Sequence, residues 1–130
     1  MATLIAHIKV RPGREAEFED MARQLAEGTR KEPGCRRYEY YRRAEPGHYL
    51  CMESFADFRA FIDHQTSPHH ESAPLGALIE QVRVEWIDPL PGASVFPPTD
   101  PQPLAAGATE TAIAYAGKYP VEIGWWHERR

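Results

Sequence analysis

The chain has 130 residues, 42% hydrophobic and 26% charged, with a formal net charge of −4. These values fit a water-exposed globular domain with one modest core, and the acidic balance speaks against nucleic acid or an anionic membrane as partner. No run approaches the roughly 20 apolar residues of a bilayer span. Residues 1–10 lack the features of a secretory signal, and the two cysteines, Cys35 and Cys51, suit reduced thiols, so the expected location is cytoplasmic.

Leu4, Ala6, Ile8 and Val10 alternate with Thr3, Ile5, His7 and Lys9, which predicts a strand over 3–10 with one buried face. Pro12-Gly13 ends it. Phe18, Met21, Ala22 and Leu25 then recur at helical spacing, predicting an amphipathic helix from Arg14 to Lys31 that Pro33-Gly34 stops. Residues 35–43 and 48–55 read as a hairpin around Glu45-Pro46-Gly47. In its first strand Tyr38 and Tyr40 share one face, and Arg37, Glu39 and Tyr41 the other. In its second strand Glu53 falls on the face of Tyr49, Cys51 and Phe55, where a carboxylate is costly unless paired; an arginine of the neighbouring strand is the expected structural partner.

Ser54 and Asp57 resemble a capping box opening a helix that buries Phe58, Phe61 and Ile62, with His64 near its end. Ser67-Pro68 restarts the chain, and this second helical segment carries His69, His70, Leu75, Leu78 and Ile79, with Pro74 set to kink or shorten it. Val82, Val84 and Trp86 alternate in a strand over 80–88. The order β-α-β-β-α-β is that of a ferredoxin-like α+β fold: a four-stranded antiparallel sheet with helices on one face. The uncovered face, to which Ile5, Cys35 and Trp86 are assigned, suggests a homodimer. Residues 1–90 form this domain. Residues 91–130 form a proline-rich linker and an aromatic extension (Tyr115, Tyr119, Trp125, Trp126) expected to dock on its own or the partner subunit.

Several motifs together resemble the antibiotic biosynthesis monooxygenase (ABM) family of dimeric α+β barrels. They are Ile5-Ala-His-Ile-Lys-Val-Arg-Pro-Gly13, Glu32-Pro-Gly-Cys35, Glu53-Ser-Phe55 (often Glu-x-Trp in the family) and His64-Gln-Thr-Ser-Pro-His69. The resemblance spans roughly residues 1–90. It implies a small-molecule enzyme, a homodimer and no cofactor. Family members include cofactor-free oxygenases of quinols and polyketide phenols, haem-degrading enzymes and an isomerase. The haem-degrading branch uses a first-strand asparagine where this chain has Ala6.

Oxygenation of a quinol and isomerisation beside a carbonyl both require a base, and a histidine with a pKa near the working pH suits that task. His64 and His69 are the catalytic candidates, with Glu53 as orienting or second acid–base group. Each has a structural alternative: a helix-terminal hydrogen bond for His64, a cap for His69. His70 is read as solvated. Tyr40, Phe61, Trp86 and Trp125 are candidate substrate contacts, with Tyr40 or an arginine placed to stabilise oxyanion charge. No metal site is expected, because His64, His69 and His70 are spaced across a helix break. The function expected is a cofactor-independent monooxygenase of a phenolic or quinol substrate using O2. The alternatives are a cofactor-free isomerase or lyase of a carbonyl compound and a non-catalytic module binding an aromatic ligand.

Overall fold

The computed structural model describes residues 1–100, 104 and 106–121. Strands β1 (Ala2–Val10), β2 (Cys35–Arg42), β3 (His48–Phe55) and β4 (Ile79–Trp86) form one antiparallel sheet in the order β2-β3-β1-β4. Helices α1 (Glu15–Arg30) and α2 (Phe58–Gln65) cover one face. Two short turns, α3 (Pro68–Glu71) and α4 (Leu75–Leu78), lead into β4, and α5 (Glu110–Lys118) follows the proline-rich stretch. This is the ferredoxin-like α+β arrangement expected from the periodicities.

The core lies between sheet and helices. Leu4, Ala6, Ile8 and Val10 of β1 meet Phe18, Met21, Ala22 and Leu25 of α1 and Phe58, Phe61 and Ile62 of α2 in one buried cluster. The reverse face carries half-buried Ile5, His7, Leu50 and Met52 among charged residues such as Arg83 and Glu85.

Three sequence expectations change. Trp86 pairs with Leu4, so the pleat turns it toward the helices, where its ring packs 5.8 Å from Phe58 and 5.1 Å from Phe61. Cys35 also faces the helices: it pairs with buried Phe55, and a register shift between Cys35 and Arg37 inserts one residue and reverses the alternation. Ile5 alone of the three residues assigned to the uncovered face remains there. Finally, no capping box forms. The Asp57 carboxylate caps α2 by accepting from Ala60 N at 2.7 Å, while Ser54 stays in β3 and donates to Thr3 Oγ1 at 3.2 Å. Pro74 shortens the restarted segment, as expected, by dividing it: Pro74 is the N-cap of α4, and Ile79 already belongs to β4.

Residues 88–100 return along the end of the sheet without regular structure. Thr99 Oγ1 donates to Ile87 O at 2.6 Å, and Asp100 N to Met1 O at 2.9 Å.

The turn before β2 passes tightly under α2, since a Cβ built on Gly34 would lie 2.4 Å from Ala60 Cβ. Gly34→Ala is therefore expected to destabilise the fold by about 1–3 kcal/mol through overpacking. Adding Ala60→Gly should recover part of that loss, although the same change alone costs about 1 kcal/mol in a helix. Urea denaturation of the four proteins checks this; strictly additive losses would refute the contact.

Candidate active site

A cavity of about 370 Å³ lies between the sheet and its helical cover. Its sheet wall includes Ala6, Ile8, Tyr38, Tyr40, Cys51 and Glu53, and its other walls include Leu25, Gln65, His70 and residues of α5. Antiparallel register assembles the polar part: Tyr38 on β2 faces Glu53 on β3, and Tyr40 faces Cys51. Tyr38 and Tyr40 share a hydroxyl–hydroxyl hydrogen bond of 3.1 Å.

Glu53 is 5% exposed, and among the described residues its Oε2 has no hydrogen-bond partner. The expected arginine partner is absent: among the described residues no cation forms an ion pair with Glu53. Arg37 points to the opposite face and pairs with Glu39 at 3.0 Å, while Arg30 donates to Tyr38 O at 2.9 Å. Burial raises the Glu53 pKa from an ordinary 4.5 to about 8; a hydrogen bond from the Cys51 thiol partly opposes this, and the charge of Glu32 adds to it. Burial likewise pushes the phenols of Tyr38 and Tyr40 and the thiol of Cys51 well above their usual ranges. At neutral pH this Tyr38–Tyr40–Cys51–Glu53 part of the cavity wall is thus a set of mostly uncharged donors.

The histidines divide differently from the sequence expectation. His70 lines the cavity instead of standing in solvent, and burial, followed by the charge of His64, lowers its pKa to about 4. His64 does not line the cavity. It is 1% exposed, its ring stacked on Phe55 at 5.1 Å, tilted against Tyr38 at 5.0 Å and edge-on to His70 at 4.8 Å. His64 Nδ1 lies 3.0 Å from Glu32 Oε1, and His69 Nε2 lies 2.6 Å from the same oxygen. A carboxylate oxygen only accepts, so each ring presents an N–H to it and both tautomers are set. His69, 31% exposed in its side chain, also contacts Ser67 Oγ at 3.2 Å and lies over Gly28, where a Cβ would come within 3.1 Å of its ring.

Glu32, His64 and His69 form the one group among the described residues that could hold a metal ion, with donor atoms within 4.8 Å of one another. As they stand, the three satisfy each other by hydrogen bonding. Of the expected substrate contacts, Tyr40 lines the cavity, whereas Phe61 and Trp86 belong to the core beside it; Trp125 lies outside the described residues. Glu32 was not legible as a site residue, because next to Pro33 it reads as a helix end and as part of the Glu32-Pro-Gly-Cys35 motif, neither of which gives it a partner. Tyr38 carried a signal, its shared face with Tyr40. A larger depression of about 530 Å³ lies beside α1, but its Arg42 and Glu19 already form an ion pair of 2.6 Å and Arg30 is held by Tyr38 O.

The family model described as antibiotic biosynthesis monooxygenase matches residues 1–73. The chain belongs to this family. Rv0793 of Mycobacterium tuberculosis, named "Putative monooxygenase Rv0793", is 31% identical over 94 residues, covering 70% of this chain and 93% of that protein. The solved structure of Rv0793 superposes with a TM-score of 0.65, at 30% identity over 72% of this chain and 98% of that one. PA3566 from Pseudomonas aeruginosa superposes with a TM-score of 0.63 at 29% identity, covering 68% of this chain and 93% of that one. In this ABM chain no described helix is long and apolar enough to cross a membrane.

The raised pKa of Glu53 has a defined consequence for stability. Between about 4.5 and about 8 the folded protein holds a proton that the unfolded chain releases, so the contribution of Glu53 is fully present below 4.5 and is lost as pH rises toward 8. Glu53→Gln should therefore gain stability relative to the parent across that interval, measured by urea denaturation at several pH values. A pH-independent difference would refute a proton-bearing Glu53.

Proposed function

We propose that the protein is a cofactor-independent monooxygenase of a phenolic or quinol substrate, with Glu53 as the base. The observation carrying this reading is the buried Glu53 carboxyl, with one oxygen unpartnered among the described residues, on the wall of a cavity that the phenols of Tyr38 and Tyr40 line beside it. A carboxyl with a pKa of about 8 is far better matched to a phenol near 10 than an ordinary glutamate. Tyr38 and Tyr40 supply hydroxyl donors to the phenolate as it forms, in a site where low dielectric strengthens such bonds. The electron-rich anion then reduces O2; one oxygen atom enters the substrate, and the other leaves as water with two substrate hydrogens.

His70 is proposed as a neutral acceptor on the opposite wall. His64, Glu32 and His69 act from behind it as positioning residues. They tie the end of α1 to α2 and α3 and hold Tyr38 and His70 in place. The uncovered sheet face, with half-buried Ile5, Leu50 and Met52, is inferred to pair two copies of the chain. Met52→Glu is expected to shift a dimer to monomer in sedimentation velocity; a monomeric parent would refute the pairing.

An oxygen electrode with a hydroquinone or anthrone-like compound tests the chemistry. Uptake by the parent should rise with pH through about 8, and Glu53→Gln should lose at least about 100-fold in kcat while remaining folded. Full activity in that variant would remove Glu53 from the mechanism. Product formation under strict anaerobiosis would move the reading to an isomerase or lyase. Saturable binding without turnover in either atmosphere would leave a binding module.

A further inference from the structure

The cavity is not built from the family-matched residues alone. Tyr115 and Lys118 of α5 and its C-cap Tyr119 also line it, and α5 lies beyond residues 1–73. Its seat is specific. Thr109 caps it by accepting from Ala112 N at 3.1 Å, the Tyr115 hydroxyl donates to Glu71 Oε1 at 2.5 Å, and the Tyr119 ring meets Phe61 edge-on at 5.9 Å. Lys118 Nζ then stands 5.9 Å from the centre of the Tyr115 ring and 5.4 Å from that of Tyr119. Among the described residues no carboxylate forms an ion pair with it.

The other ionisable groups on this cavity wall are accounted for. Glu53 and His70 are mostly uncharged at neutral pH, and Glu80 is paired with Lys9 at 3.3 Å. Glu71, beside α5, is engaged by Tyr115. Among the described residues Lys118 is consequently the one full charge on the cavity wall without an ion pair. A volume of about 370 Å³ is at the small end for ligand sites and suits a substrate of one or two rings.

We propose that Lys118 selects substrates carrying an acidic substituent, so that the physiological quinol is a carboxylated one. Its carboxylate sits against the Lys118 ammonium, between the rings of Tyr115 and Tyr119, while its phenolic end reaches the Tyr38–Tyr40–Glu53 wall. This assignment rests on reading the cavity as a quinol site. Lys118 itself is solvent-exposed, so the gain is that of a partly screened ion pair.

Anaerobic calorimetric titration of the full chain with 2,5-dihydroxybenzoate and with hydroquinone tests it. The parent is expected to bind the carboxylated probe about 3- to 5-fold more tightly, a preference that shrinks with added salt. Lys118→Gln should abolish that preference, and Lys118→Arg should retain it. Equal affinities in the parent, no binding of 2,5-dihydroxybenzoate, or a preference untouched by Lys118→Gln would each overturn the proposal. Because binding needs no turnover, a preference intact in a protein that consumes no O2 would refute the oxygenase reading alone. Turnover of both probes without a preference would refute the role of Lys118 alone.

Discussion

A carboxyl group buried on the apolar side of a sheet, with no ion-pair partner among the described residues, is the constraint on which the site depends. Water is excluded from Glu53, and the cost of an isolated buried charge is avoided by keeping the proton to about pH 8. Its surroundings follow the same rule. Tyr38, Tyr40 and Cys51 are buried and neutral, and His70 is held in its uncharged form. Such a wall can donate hydrogen bonds to charge that develops on a bound molecule, and needs little reorganisation to do so.

Behind this wall, Glu32 connects elements that are distant in sequence. It leaves the end of α1 and receives hydrogen bonds from His64 on α2 and His69 on α3. The His64 ring then stacks on Phe55 and packs tilted against Tyr38, so the same contacts that secure the short helices also position the tyrosine facing Glu53. Close packing between α1 and α3 requires the small Gly28 under His69. Positioning and stability are therefore not separable at this end of the molecule, whereas Glu53 can be altered with less risk to the fold.

Much of the architecture was legible because it is local. Alternation marks β1 and β3 within a residue or so, and the stripe of Phe18, Met21, Ala22 and Leu25 marks α1. Glu53 was conspicuous for the same reason, as a charged residue at an apolar parity. The errors arose where one local rule met a competing one. An inserted residue near Arg36 reversed the parity of Cys35, and strand pairing with Leu4, invisible in β4 itself, turned Trp86 inward. Asp57 took the cap expected of Ser54 because β3 continues through Phe55.

By itself, the sequence determined the order of elements, the ABM family, the buried carboxylate and the cluster of histidines, since each is written in spacing and residue type along a short stretch. Only the tertiary structure decided which of those histidines reaches the cavity, that Glu32 joins His64 and His69, and that α5 closes one wall with Lys118. Those contacts join residues 32 to 44 positions apart in the pairs that define them, Glu32–His64 and Glu71–Tyr115. No periodicity in a single segment encodes a meeting between two segments; the packing of the whole core does.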